Sequence, residues 1–170
     1  MGFFSRLMGG SDEQTTAASE FEILAPVSGE LVHLENTNDP AFSSRAVGDG
    51  VAVVPQEGTV CAPVSGTVAA LFPTEHALGI MSDNSSAQVM LHIGIDTVKL
   101  EGKGFHALVA QGDHVDAGQP LVEVDFDVVR AAGFDPTVFV IVCERSENST
   151  LREHASGPVA VKEPVVWLSE

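Results

Sequence analysis

From Phe21 onward the apolar residues come in short runs, cut every few positions by Gly or Pro. The runs are rich in Val, Ile and Leu. Several alternate with polar positions, as in Glu30 to Leu34, Thr67 to Leu71 and Val122-Glu123-Val124. A period of two is the repeat of an extended strand, whose successive side chains face opposite sides of a sheet. Many short strands between turn residues predict an all-β fold, an antiparallel sandwich or flattened barrel with one or two short helical turns. Gly104 to Ala110 suits such a turn. Asp127 suits the cap of a second over Val128 to Ala132, ended by Gly133. Residues 9–20, GGSDEQTTAASE, are small and polar and read as a flexible lead-in. The chain therefore divides into an N-terminal segment, 1–20, and one domain, 21–170.

The pentapeptide Ala25-Pro26-Val27-Ser28-Gly29 returns as Ala62-Pro63-Val64-Ser65-Gly66, each copy followed by a strand-like run. Pro pre-sets φ and Gly admits turn conformations closed to other residues. Two copies predict two similar hairpins in one sandwich and are too few for a solenoid. A further turn, Gly112 to Pro120, runs into Leu121 to Val124 and predicts another hairpin. Its GDxVxxGQ pattern resembles that of biotinyl and lipoyl carrier domains. No Lys stands in an equivalent turn here, so the likeness is to the hairpin and not to the carrier chemistry.

Composition narrows the partners. The 170 residues are 44% hydrophobic, enough for a core, and hold 24 Asp and Glu against 8 Lys and Arg, a net charge of −16. That balance argues against nucleic acid and an anionic membrane as main partners, since both need basic surface. It fits a partner with a basic patch and, equally, solubility in a high-salt or crowded cytoplasm. No run approaches the ~20 apolar residues of a membrane helix. Residues 1–8 read either as a frayed tail or, since Phe3, Phe4, Leu7 and Met8 can share one face of a short helix, as a weak contact for the inner face of a membrane. Cys61 and Cys143 show no metal-ligand spacing and read as buried free thiols in a reducing compartment, the cytoplasm.

The segment Val89 to Val98, VMLHIGIDTV, carries the chemistry. At period two Val89, Leu91, Ile93 and Ile95 form an aliphatic face. Met90, His92, Gly94 and Asp96 form the other, with a Gly clearing space beside the imidazole. Upstream, Phe72, Thr74 and His76 share parity, with Pro73 restricting that stretch to an edge or a bulge. If the two strands pair, His76 faces His92 with the Thr74 hydroxyl in reach of a ring nitrogen. Two imidazoles and a hydroxyl can bind zinc, act as an acid–base pair, or accept a phosphoryl group on nitrogen. They can also be two histidines on a polar sheet face with no role.

LHIGIDTV at 91–98 resembles the phosphorylation-site signature of the glucose-type IIA phosphocarriers of the sugar phosphotransferase system. The resemblance runs in order over residues 21–168: APVSGELV, DPAF leading to VGDGVAVVP, APVSGTV, TEHA, LHIGIDTV, LEGKGF, GDHVDAGQPL and a closing GPV strand. MGFF-RL at the start is similar to a membrane-associating segment of some stand-alone members. The resemblance implies that His92 is the phosphoacceptor, that His76 hydrogen-bonds the phosphate and serves onward transfer, and that Thr74 orients His76. It implies an apolar docking ring of Phe42, Val47, Phe72, Met90 and Val98, where Met90 replaces a frequent Phe, with Asp39 and Asp96 at the rim. The donor would be HPr, charged from phosphoenolpyruvate by enzyme I. The acceptor would be a cysteine of a sugar-specific IIB domain. No cofactor is required. In some members' complexes the two histidines bind zinc with a partner carboxylate, and some members regulate permeases, glycerol kinase or adenylate cyclase. A purely regulatory binding protein on this scaffold is the alternative. A zinc hydrolase is a third reading, weakened by the lack of an HxH pair. The other histidines read as bland: His33 outward on a strand, His106 and His114 in loops, His154 exposed in a mobile loop from Ser146 to Ser156. Trp167 reads as a packing residue.

Overall fold

The structure, a computed structural model, describes residues 20–84 and 86–170, so the expected membrane contact of residues 1–8 lies outside the described residues. In chain order the strands are β1 (Phe21–Leu24), β2 (Gly29–His33), β3 (Asp49–Pro55), β4 (Thr59–Cys61), β5 (Gly66–Leu71), β6 (Ala77–Ser82) and β7 (Ala87–Ile93). They continue with β8 (Phe105–Ala107), β9 (His114–Val115), β10 (Pro120–Val124), β11 (Val138–Arg145), β12 (Thr150–Glu153), β13 (Gly157–Val159) and β14 (Pro164–Ser169). Two short helices, α1 (Pro40–Ser43) and α2 (Phe126–Ala131), interrupt them. The largest sheet has eight strands in the order β13-β2-β3-β11-β7-β6-β5-β9. Two three-stranded sheets, β1-β14-β12 and β4-β10-β8, complete the set. The strand pairings are antiparallel. The all-β sandwich read from the sequence is the fold observed.

The large sheet is apolar on both faces. Val51, Val53, Leu78, Ile80, Val89, Leu91, Ile93, Val138 and Val140 face inward to a main core shared with Ile23, Val60, Val122 and Val166 of the small sheets. Each such side chain, fully buried, contributes roughly 1.5–3 kcal/mol. On the opposite face Ala52, Phe139 and Ile141 form a smaller core, closed by Leu34 and Phe42 from the connection between β2 and β3. That connection lies as a strap over the outer face of the sheet, and α1 is its middle.

The repeated pentapeptides lie against each other as an approximate two-fold pair. Leu24 N–H donates to the Pro63 carbonyl at 2.9 Å, and the counterpart Cys61 N–H donates to the Pro26 carbonyl at 2.7 Å. The likeness extends beyond the pentapeptides. The Ser28 hydroxyl accepts from Val161 N–H and the Ser65 hydroxyl from Ala117 N–H, both at 2.8 Å. β2 pairs with β13 as β5 pairs with β9. Gly29 and Gly66 are needed for close approach and not, as the turn pattern suggests, for an unusual φ. A Cβ on Gly29 would lie 1.9 Å from the Val54 carbonyl oxygen, and one on Gly66 would lie 2.0 Å from that of Met81.

Several local expectations are corrected. Gly112 to Val124 is not a hairpin: β9 joins β5 in the large sheet, while β10 joins β4 and β8. Helix α2 starts earlier than expected and is capped by Asp125, whose carboxylate accepts from Asp127 and Val128 N–H. Gly104 to Ala110 holds strand β8, and the helical turn is a 3-10 turn at Thr97–Leu100. The stretch from Ser146 to Ser156 contains strand β12. His33 is half-buried and bonds the His154 carbonyl through Nε2 at 3.0 Å. His154 stacks on Trp167 at an interplanar angle of 15°, with the Arg152 guanidinium 4.0 Å from the indole centroid. His106 is on β8, and His114 on β9 meets the Asp83 carboxylate at 2.9 Å. Both cysteines are unpaired; Cys61 is buried, but Cys143 is partly exposed.

Candidate active site

The site is built on the outer face of the large sheet, at the ends of β6 and β7. His92 stands in β7, opposite Ala77 of β6 and Phe139 of β11. His76 ends the connection from β5 to β6, and its carbonyl accepts from Ile93 N–H at 2.7 Å. Residues 72–76 are this tight connection and not an edge strand. Glu75 within it has φ +61°, and its N–H donates to the Phe72 carbonyl at 2.8 Å. It is β6, beginning at Ala77, that pairs with β7, and the turn before it brings the imidazole centroids to 5.1 Å, edge to face at 85°.

Each ring is tied through Nδ1. His76 Nδ1 lies 2.5 Å from the Thr74 hydroxyl oxygen. His92 Nδ1 lies 2.8 Å from the Gly94 carbonyl oxygen. A carbonyl only accepts, so His92 Nδ1 carries a hydrogen and its Nε2 lone pair is free. Gly94 supplies that carbonyl because the chain turns sharply there, with φ +79°. A Cβ at this position would lie 2.4 Å from the Thr97 methyl and 3.0 Å from the Asp135 carbonyl oxygen. The turn breaks the strand alternation. Ile95 consequently packs with the smaller core on the His92 side, not with Val89, Leu91 and Ile93.

A supporting shell, not evident from the sequence, fixes this turn. Gly94 N–H donates to the Thr137 carbonyl at 2.8 Å and Ile95 N–H to the Asp135 carbonyl at 2.9 Å. The Asp135 carboxylate accepts from Thr137 N–H and Oγ1–H and from Asn38. Burial alone would raise its pKa, but those bonds hold it below the usual carboxylate value. On the other side the Glu75 carboxylate accepts from Ala107 N–H at 2.9 Å and pins the His76 connection to β8. Phe139 was hidden in the run VFVIV, whose two faces are both apolar. It stacks on Phe42 with centroids 4.3 Å apart.

Of the expected docking residues, Val47, Phe72 and Val98 are 39%, 48% and 49% exposed. Met90 is partly buried against the smaller core. Phe42 is buried, with its ring 5.2 Å from that of His92. Phe72 stands 5.6 Å from His76. Asp39 caps α1 and Asp96 precedes the 3-10 turn, and both carboxylates act on His92 electrostatically. Among the described residues no group of three His, Cys, Asp or Glu is placed to hold a metal ion. Among them, too, no helix is long and apolar enough to cross a membrane.

Burial is the main force on both rings and disfavours the imidazolium. It lowers the pKa of His76, only 5% exposed, and the nearby His92 adds to the effect. It lowers that of His92 against the opposing pull of the Gly94 bond, Asp39 and Asp96. Both rings are therefore neutral at pH 7. NMR titration is expected to place both midpoints below the ordinary imidazole value of about 6.5. The unfolded chain protonates first, so the contribution of these rings to stability is complete above about pH 6.5 and declines as pH falls through that value. A midpoint at or above 6.5 for His92 would contradict this account.

Two neutral imidazoles in an apolar recess, one with a free Nε2 and one oriented by a hydroxyl, define a histidine site suited to group transfer. The comparisons with known proteins agree with that class. The family model for the phosphoenolpyruvate-dependent sugar phosphotransferase system, EIIA 1, matches residues 21–148, and the chain belongs to this family. It is 39% identical over 170 residues to the beta-glucoside-specific EIIBCA component of Bacillus subtilis, covering 99% of this chain and 28% of that protein. It is 44% identical over 138 residues to the N-acetylglucosamine-specific EIICBA component of Klebsiella pneumoniae, covering 81% of this chain and 21% of that protein. The chain thus spans about a quarter of the length of these relatives. The glucose permease IIA structure from Mycoplasma capricolum superposes with a TM-score of 0.79 at 35% identity, covering 87% of this chain and 95% of that one.

Proposed function

We propose that this chain is a phosphohistidine carrier, taking a phosphoryl group from phospho-HPr on His92 Nε2 and passing it to a cysteine of a sugar-specific IIB domain during sugar uptake. The supporting observation is the His92 Nδ1–H bond to the Gly94 carbonyl, which leaves Nε2 as the nucleophilic nitrogen of a neutral ring. In the first step the Nε2–P bond forms as the donor's N–P bond breaks, and the electron pair returns to the donor nitrogen. Nδ1 keeps its proton throughout. Onward transfer forms S–P and returns the Nε2 lone pair to His92. Such transfers pass through a loose transition state that needs alignment and charge stabilisation more than covalent help.

His76 supplies the charge stabilisation in this reading. With the Thr74 hydroxyl donating to Nδ1, the His76 proton sits on Nε2 and can be given in hydrogen bonding to a phosphoryl oxygen. The exposed Val47, Phe72 and Val98, with Met90 and Phe42 behind them, exclude water that would hydrolyse the phosphohistidine. Asp39 and Asp96 draw partners that present basic residues, through transient contacts of about 1,200 Å² or less. No cofactor takes part. The two rings offer two of the ligands a zinc ion needs, and a carboxylate from a regulated permease or kinase would supply another. The carrier works in the cytoplasm, with residues 1–8 touching the membrane that holds its acceptor.

The test is phosphorylation by enzyme I, HPr and labelled phosphoenolpyruvate. The expected product is one acid-labile, alkali-stable phosphoryl group per chain, assigned to Nε2 of His92 by NMR. Absence of label beside an active control carrier would overturn the reading, and label on Nδ1 would overturn the role given to Gly94.

A further inference from the structure

We infer that Arg45 is the positioning residue that fastens the strap between β2 and β3 over the His92 face, and that it governs partner binding rather than the transfer step. The consequence for binding rests on the phosphocarrier reading; the fastening does not. The strap's helix, α1, is a single turn, and isolated turns of that length do not persist in water. Only a few contacts hold it. Asp39 accepts from Ala41 N–H at 2.9 Å, and Phe42 is inserted against Phe139. Before the helix, Leu34 is buried in the smaller core and Asn38 donates to the Asp135 carboxylate at 3.1 Å; after it, the hold is Arg45. Its N–H donates to the Phe42 carbonyl at 2.9 Å, and its φ of +59° turns the chain out of the helix.

Its guanidinium gathers three carboxylates from three places. Nη1 and Nη2 donate to the two oxygens of Glu153 on β12, at 2.6 and 3.3 Å. Nη2 also donates to Glu35 at the strap's start, at 2.8 Å, and Nη1 to Asp49 at the start of β3, at 3.3 Å. Arg145 reaches the other Asp49 oxygen at 3.4 Å, and His33 Nδ1 lies 3.9 Å from Glu35. One side chain thus ties the strap to a strand in each of two sheets. The fork geometry requires Arg, since an ammonium cannot make the paired contact with Glu153. The pair is more than surface decoration, because Glu153 is mostly covered and Arg45 half-covered.

The effect falls on binding because Arg45 does not touch either histidine. His92 is held by β7 and the Gly94 carbonyl. What the strap carries is Asp39, Phe42 and Val47, a rim carboxylate, a ring beside His92 and an exposed apolar residue. A loosened strap scatters these groups and leaves the nucleophile in place.

The experiment compares the wild-type chain with Arg45→Lys and Arg45→Gln by amide hydrogen exchange and by phosphoryl transfer from HPr. The amides of Phe42, Ser43 and Ser44 are expected to exchange about tenfold faster in Arg45→Gln and to an intermediate degree in Arg45→Lys, while those of Leu91 and His92 are unchanged. KM for phospho-HPr is expected to rise about tenfold with kcat within about twofold of wild type. Unchanged exchange in the strap overturns the fastening. A fall in kcat at constant KM overturns the assignment to binding. If wild type takes no phosphate while the exchange pattern appears, the carrier reading fails and the fastening stands. If Arg45→Gln does not fold, Glu153→Gln weakens the same contact, and unchanged strap exchange there is equally decisive against it.

Discussion

A His92→Ala chain is expected to fold as wild type does and to carry no phosphoryl group. The ring belongs to the outer face of the sheet and leaves the main core untouched, so melting should shift by only a few degrees. The neighbouring ring cannot replace Nε2. His76 is almost wholly covered and its Nδ1 is engaged by Thr74. Labelling by enzyme I and HPr should therefore drop to background. His76→Ala should behave differently. It keeps the nucleophile and should still accept label, but without the Nε2–H donor the onward chase to IIB-bearing membranes should slow by roughly two orders of magnitude. Equal loss of acceptance in both variants would mean that the division of roles between the rings is wrong.

Gly66→Ala is expected to destabilise the fold severely. The added Cβ would stand 2.0 Å from the Met81 carbonyl oxygen, and that oxygen belongs to a strand paired on both sides. Neither strand can retreat without breaking the sheet, so the cost is about 4 kcal/mol or more, a large part of the ~5–15 kcal/mol that holds a domain together. Gly79→Ala is the control. It lies in β6 beside Met90, and the nearest atom to its Cβ is Gln88 Nε2 at 3.8 Å. Its change should stay within about 1 kcal/mol. Soluble yield and thermal unfolding of the two variants decide the matter, and a Gly66→Ala chain that melts near wild type would show that the strands can separate there.

How much of this was legible depends on what each stretch of chain had to say about its own surroundings. Short runs with Gly and Pro between them do specify strands, because the alternation of side chains is local. Alternation placed His92 in its strand, but Thr74 and His76 meet it from the turn before β6, where strand parity does not apply. Phe139 could not be assigned to a face, since Val138 to Val142 is apolar on both sides and periodicity vanishes when both faces are covered. Ile95 was assigned to the wrong face because a left-handed turn at Gly94 resets the alternation, and a single Gly does not announce its φ. The repeat was visible only where it was identical. Gly118 and Lys162 hold equivalent places, with φ of +86° and +72° and N–H bonds to Ala62 and Ala25, but a Gly and a Lys share no pattern a reader could match. Arg45, Glu75 and Asp135 each also bond a partner 32 to 108 residues away, and nothing local in their neighbourhoods marks those partners.

His92 stands on β7 and His76 in the tight connection that leads into β6, each fixed by a hydrogen bond at its Nδ1. On the carrier reading, loading needs no movement of either backbone segment. It does place a group of nearly two negative charges in a recess already bordered by Asp39 and Asp96. A protein that must tell the loaded chain from the empty one would have the potential at the centre of that recess to read.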